Sequence, residues 1–139
     1  MRIFADTSGF FALLVQNDSM HMRAKQIFTY FVQQRAQLLT SSFVLVETVA
    51  LLQRRVGLAA VHDFQTKIIP LLDIVWVNGD WYSRAIQRLF ALNNRKLSLV
   101  DCLSFEIMES QEIEVVFTFD MHFPQNGFTI AVSPDLDIK

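Results

Sequence analysis

One cysteine, four glycines, three prolines and no excess of positive charge are distributed over 139 residues. Each scarcity removes a class of protein. The lone thiol, Cys102, excludes an intrachain disulfide and a multi-cysteine zinc site, so a reducing cytoplasm is the expected compartment and Cys102 reads as a small core residue. Twelve Lys and Arg against fourteen Asp and Glu leave a formal charge of -2. Non-specific affinity for nucleic acid comes from neutralising phosphates, so a broad basic face is excluded and any such contact needs locally placed cations. No uncharged apolar run reaches the roughly 18 residues of a membrane span. The stretch Met1 to Val15 is interrupted by Asp6 and lacks a small-residue cleavage pattern, so it does not resemble a secretory signal. Without repeats, low-complexity tracts or a Gly/Pro-rich joint, residues 1–139 are expected to form one domain.

Apolar side chains, by contrast, are abundant: 52% of the chain, with 13 Phe. That content supplies a generous core and leaves material for an apolar surface, on which a homodimer or a protein partner would form. Strands are predicted at Arg2 to Ala5, Leu38 to Thr40, Leu72 to Val77, Val115 to Phe119 and Phe128 to Val132. Helices are predicted between them. The first covers Gly9 to Val15 behind Thr7 and Ser8 as caps, and the second runs from Asp18 or Ser19 to about Arg35. Ser41-Ser42 opens a third that Gly57 stops after Val56, and Leu58 to Ile69 makes a fourth that ends at Pro70. Asn78-Gly79-Asp80 begins a fifth, through Asn93, and Ser98 begins a sixth. Alternating strands and helices specify an α/β fold: a mainly parallel sheet of about five strands in the middle of a three-layer sandwich.

Against this apolar background four acids stand out, Asp6, Glu47, Asp101 and Asp120, each at or beside an apolar stretch. Buried carboxylates are rare unless their charge is compensated. Asp6 and Asp120 fall at the carboxyl ends of predicted strands, where open parallel sheets bind ligands, with Asp101 in the first turn of a helix and Glu47 about one turn inside another. Convergence of the four would create an oxygen-only site suited to Mg²⁺ or Mn²⁺ rather than zinc, and metal-assisted phosphodiester hydrolysis is the natural chemistry.

The segments Ile3-Phe4-Ala5-Asp6-Thr7-Ser8, Leu97-Ser98-Leu99-Val100-Asp101 and Phe117-Thr118-Phe119-Asp120-Met121-His122-Phe123, with Glu47 on a helix between them, resemble the motifs of PIN domains in the family's own order. The likeness runs from Arg2 to about Val132, and its nearest form resembles the VapC-type toxins of toxin–antitoxin pairs. It implies a PIN-like sandwich and an endoribonuclease that uses Mg²⁺ or Mn²⁺ to cleave single-stranded RNA by a metal-activated water. It further implies that Asp6, Glu47, Asp101 and Asp120 hold the metal, that Ser8 and Thr118 orient them as hydroxyl partners, and that a cognate antitoxin covers the cleft.

Each residue also has a structural reading. Asp6 would cap the first helix, Ser98-Leu99-Val100-Asp101 is a capping-box pattern, Glu47 would lie on a solvated helix face, and Asp120 would sit in a turn. His21, His62 and His122 are read as surface or turn residues without a catalytic role. Arg95-Lys96 is the favoured cationic contact for RNA, ahead of Arg54-Arg55 and the Arg84/Arg88 pair, all of which also suit helix ends and solubility. Trp76 and Trp81 are read as core or interface residues rather than base-stacking platforms. A receiver domain would need adjacent acids after the first strand and a late Lys, a haloacid-type phosphatase would need Asp-x-Asp, and structure-specific DNA nucleases carry added regions for which the chain lacks length. A housekeeping RNase of the same fold and a non-catalytic metal-binding interaction module remain alternatives to a toxin.

Overall fold

The computed structural model describes residues 1–134; the rest of the predicted 1–139 domain lies outside the described residues. Five strands, β1 (Arg2–Ala5), β2 (Gln37–Ser41), β3 (Leu72–Val75), β4 (Val115–Phe117) and β5 (Thr129–Ile130), make one sheet in the order β3-β2-β1-β4-β5. Every pairing is parallel. The order reverses direction at β1, between β2 and β4, which opens a crevice beyond the strands' carboxyl ends.

Consecutive residues Ile3, Phe4 and Ala5 are all buried, as are Leu38, Leu39 and Thr40. Adjacent strand residues point to opposite faces, so both faces of the central strands are covered. The cover is provided by α1 (Thr7–Leu14), α2 (His21–Gln33), α3 (Ser42–Arg55), α4 (Leu58–Asp63), α5 (Gly79–Leu92), α6 (Leu99–Ser110) and the short α7 (His122–Gln125). Phe117 of β4 packs against Phe10 of α1 and against Phe28 and Phe31 of α2. Phe105 of α6 meets Phe123 edge-to-face and stacks on Phe128 in a second aromatic group. Burying each such ring contributes roughly 1.5–3 kcal/mol, so these clusters fix how the helices sit on the sheet.

Gly9 fixes one approach more tightly than any apolar contact. A Cβ at this position would lie 2.5 Å from the Phe117 carbonyl oxygen, a separation no side chain tolerates. Glycine therefore lets α1 lie directly on β4, and the Asp6 amide donates to the same carbonyl at 3.1 Å.

The α/β class, the five parallel strands and the helices between them agree with the sequence reading; several boundaries do not. Helix α1 begins at Thr7 rather than Gly9, because Thr7 and Ser8 spend their hydroxyls on other partners instead of capping. Asp18 accepts from the Met20 amide in a turn before α2, and the helix starts only at His21. The predicted helix to Ile69 stops being α-helical after Asp63: Phe64–Ile68 widens to a π-helical turn and Ile69–Leu71 tightens to a 3-10 turn around Pro70. Proline lacks an amide proton and crowds the carbonyl four residues before it, which disrupts the regular ladder there. Strands β3, β4 and β5 are shorter than predicted, since sheet pairing ends before the apolar pattern does.

Candidate active site

Asp6 follows β1 directly and is 4% exposed. It occupies the cap position of α1, yet its side chain makes no capping bond; the carboxylate turns across the crevice to β4 instead. Thr118 Oγ1 donates to Asp6 Oδ2 at 3.0 Å. The direction of the surrounding bonds is fixed by proton count. The Phe119 amide donates to Ser8 Oγ at 2.9 Å, Ser8 Oγ lies 2.8 Å from Thr118 Oγ1, and the Asp120 amide also donates to Thr118 Oγ1, at 3.1 Å. Thr118 has one proton and gives it to Asp6, so Ser8 must donate to Thr118. Two backbone amides thus polarise a hydroxyl chain that ends on the carboxylate.

A second chain reaches Glu47. Thr48 Oγ1 donates to Thr7 Oγ1 at 3.2 Å, which leaves the Thr7 proton for the Glu47 carboxylate. Glu47 is half-buried on α3, not on a solvated face. In the sequence Thr7 reads only as a helix cap, and Thr48 does not stand out. Their signal was faint: a threonine beside each of two candidate acids.

Asp101 takes the capping role considered for it. Its Oδ2 accepts from the Ser98 amide at 3.1 Å while Ser98 Oγ accepts from the Asp101 amide at 3.0 Å, a complete capping box at the start of α6. The bond occupies one carboxylate oxygen and holds the side chain in a single orientation. Asp120 likewise accepts from the His122 amide, through Oδ1 at 2.9 Å, which closes the turn after β4.

The electrostatics record how close the acids are. Burial pushes the Asp6 carboxyl up to about 7; Asp101 and Glu47 add to the rise, and the Thr118 and Thr7 hydrogen bonds oppose it. Burial also raises Glu47, with Asp101 and Asp120 contributing, and raises Asp101, with Asp120 contributing. No Lys or Arg among the described residues forms an ion pair with any of the four acids; the basic side chain beside them is His122, against Asp101 and Asp120. A cleft of four carboxylates, with oxygens fixed by hydrogen bonds and no internal counter-charge, has the donor chemistry that fits a hard divalent cation. One ligand atom each from Asp101, Asp120 and His122 lies within 4.8 Å of the others.

The remaining sequence candidates divide. Arg95 and Lys96 are exposed on the turn between α5 and α6, with the Lys96 amide bonded to Asn94 Oδ1. Arg84 and Arg88 are engaged within the protein: Arg84 pairs with Glu106 at 3.3 Å and lies 4.4 Å over the Trp81 ring, and Arg88 binds Glu106 and Glu109, tying α5 to α6. Arg54 and Arg55 are exposed in the last turn of α3, with Arg55 5.9 Å over Phe11. Cys102 is buried, as expected. Trp81 packs at the core margin, whereas Trp76 is 69% exposed and belongs to no core. His21 Nδ1 contacts the Ala12 carbonyl at 2.8 Å, tying α2 to α1, and His62 is exposed. His122, set aside with the other histidines, stands beside the acids, its Nδ1 3.1 Å from Asp120 Oδ1.

Fold and cleft together define a class: a parallel α/β domain whose acids gather where the strand order reverses. The PIN domain profile matches residues 3–128, and the chain belongs to the PIN-domain family. Over 134 residues, 96% of this chain and 99% of its relative, it is 33% identical to the 23S rRNA-specific endonuclease VapC20 of Mycobacterium tuberculosis, in strains CDC 1551/Oshkosh and H37Rv alike. The crystal structure of that VapC20, described as a sarcin-ricin loop cleaving toxin, matches with a TM-score of 0.81 at 32% identity, covering 91% of this chain and 96% of that one. FitAcB from Neisseria gonorrhoeae, 16% identical, shares the fold with a TM-score of 0.64 over 94% of this chain and 96% of its own.

Proposed function

We propose that this chain is a divalent-metal-dependent endoribonuclease and the toxin of a VapBC-type pair. The observation that carries the reading is that Asp101 stands close enough to Asp6, Glu47 and Asp120 to share a repulsion with each, and within ligand distance of Asp120 and His122, in a chain similar along nearly its whole length to an rRNA endonuclease. Mg²⁺ or Mn²⁺ held by these carboxylates would neutralise phosphate charge and acidify water for attack at phosphorus.

The chain's own groups prepare that chemistry. Ser8 and Thr118 form a hydroxyl chain whose last proton goes to Asp6 Oδ2, which opposes the rise that burial imposes and supports the ionised, ligating form. Thr7 does the same for Glu47. The capping box prevents Asp101 from turning away, and the Thr118 bond to the Asp120 amide holds the fourth acid at the same edge. Arg95 and Lys96, exposed on the turn before the Asp101 helix, are the proposed phosphate contacts.

Single-stranded or loop RNA is the proposed substrate, because bases there are free of pairing and the chain lacks a basic face for gripping duplex. An antitoxin segment is the proposed protein partner, offering Arg to the carboxylates and covering apolar surface beside α3, where Leu45, Val46, Val49 and Trp76 line a groove of about 400 Å³. Exposed Tyr82, Phe90 and Leu92 on α5 support a homodimer. The whole chain is proposed to act as one PIN-like domain in the cytoplasm; no helix among the described residues is long and apolar enough to cross a membrane.

Purified protein given single-stranded RNA tests the reading. Cleavage is expected with Mg²⁺ or Mn²⁺, none with EDTA, and none from Asp6→Asn protein with an unchanged circular dichroism spectrum. Equal cleavage by that variant would reject the site.

A further inference from the structure

We infer that His122 is a nitrogen ligand of the metal site, joining Asp101 and Asp120 through Nδ1, and that it tilts the site toward Mn²⁺ over Mg²⁺. The inference rests on the metal-dependent reading above and adds a residue outside the four acids.

Three observations carry it. Nδ1 lies 3.1 Å from Asp120 Oδ1 and 3.9 Å from Asp101 Oδ2, and one ligand atom of each residue falls within 4.8 Å of the other two. Such separations are spanned by one ion standing roughly 2.0–2.4 Å from each atom. Second, Nδ1 is buried and has no hydrogen-bond partner among the described residues, because the ring is not aligned for a bond to the nearby carboxylate. A buried polar atom left unpaired costs about 1–3 kcal/mol, and a cation in the acidic cleft would satisfy it. Third, the imidazole is held in place from its own backbone. The His122 amide donates to Asp120 Oδ1 at 2.9 Å, its carbonyl accepts from Asn126 Nδ2 at 2.7 Å, and the next residue, Phe123, is fully buried.

The burial of Nδ1 separates this role from a substrate contact, since the atom faces the acids and not solvent. Ligation by Nδ1 requires the neutral ring with its proton on Nε2. Imidazole is a poor partner for Mg²⁺, which prefers oxygen and water, and a better one for first-row transition ions, so its presence biases selection toward Mn²⁺.

Mn²⁺ bound to the full chain, read by electron-spin-echo envelope modulation, tests the inference without reference to activity. One Mn²⁺ with the modulation of a coordinated imidazole nitrogen is expected, and His122→Gln should remove that modulation and weaken Mn²⁺ binding by roughly tenfold to a hundredfold, with a smaller loss for Mg²⁺. If His122→Gln does not fold, a His21→Gln/His62→Gln protein decides, since the modulation must survive there. Mn²⁺ bound in the parent protein without nitrogen modulation, or modulation that persists in His122→Gln, overturns the inference and leaves the carboxylate site standing. Absence of Mn²⁺ binding at millimolar metal overturns both.

Discussion

Thr118 and Asp6, 112 residues apart in the chain, are joined by a 3.0 Å hydrogen bond that ties the ends of β4 and β1 together at the crevice. Thr118 also accepts from the Asp120 amide, so one hydroxyl serves two of the four acids. Thr118→Val keeps the shape and removes the hydroxyl. It is expected to lower the RNA cleavage rate by about 10- to 100-fold, the usual cost of deleting a group that orients a metal ligand. Thr118→Ser should retain most of the rate. Initial rates at saturating Mn²⁺ measure both, and equal rates for the Val and parent proteins would remove the hydroxyl from the account.

Gly9→Ala tests how closely α1 must lie on β4. Its Cβ would meet the Phe117 carbonyl oxygen at 2.5 Å and the buried Phe117 ring at 2.7 Å, so the helix has to move. Overpacking of this kind costs about 1–3 kcal/mol, and the shift carries Asp6, Thr7 and Ser8 with it. Urea melts should show the loss, with cleavage falling in the protein that remains folded.

Asp101 separates capping from ligation. Asn at this position can still accept from the Ser98 amide through its carbonyl oxygen, so Asp101→Asn should keep the stability of α6 and lose cleavage. Asp101→Ala should lose both, with a stability penalty of about 0.5–2 kcal/mol for the missing cap. Thermal melts and rates measured side by side distinguish the two roles.

The Asp6 carboxyl, raised to about 7 in the folded metal-free protein from 3.8, makes stability depend on pH. Between those values the native state keeps a proton that the unfolded chain releases, so the favourable contribution is complete below about pH 4 and is lost as pH rises to about 7. The loss is on the order of 4 kcal/mol. Burial raises Glu47 and Asp101 in the same direction. In EDTA at pH 8, Asp6→Asn protein should therefore be more stable than the parent, and at pH 5 the difference should shrink. Urea midpoints across this range are the measurement.

Much of this site was legible because its acids interrupt apolar runs, and an acid at the end of a buried strand is costly unless it has work to do. Asp6 and Asp120 could be placed from strand periodicity alone, and Asp101 from its cap pattern. The supporting shell was less visible. Ser8 and Thr118 were named from family likeness, whereas Thr7, Thr48 and Gly9 act through contacts across α1, α3 and β4 that no local pattern encodes. Arg84 and Arg88 illustrate the converse: one turn apart they read as a cationic patch, and only the packing of α5 on α6 reveals Glu106 and Glu109 opposite them. The caps read at Ser41, Asn78 and Ser98 hold, whereas Thr7 and Ser8 misled because their hydroxyls, beside a carboxylate cleft, are drawn into its hydrogen-bond chains rather than to the helix end.

The central claim is that these carboxylates share a metal ion. Anomalous diffraction from crystals soaked in Mn²⁺ tests it most directly: the account predicts a peak in the crevice between Asp6, Asp101 and Asp120, within bonding distance of their oxygens. A saturating soak that leaves this crevice without a peak, or places manganese only elsewhere on the molecule, would contradict it.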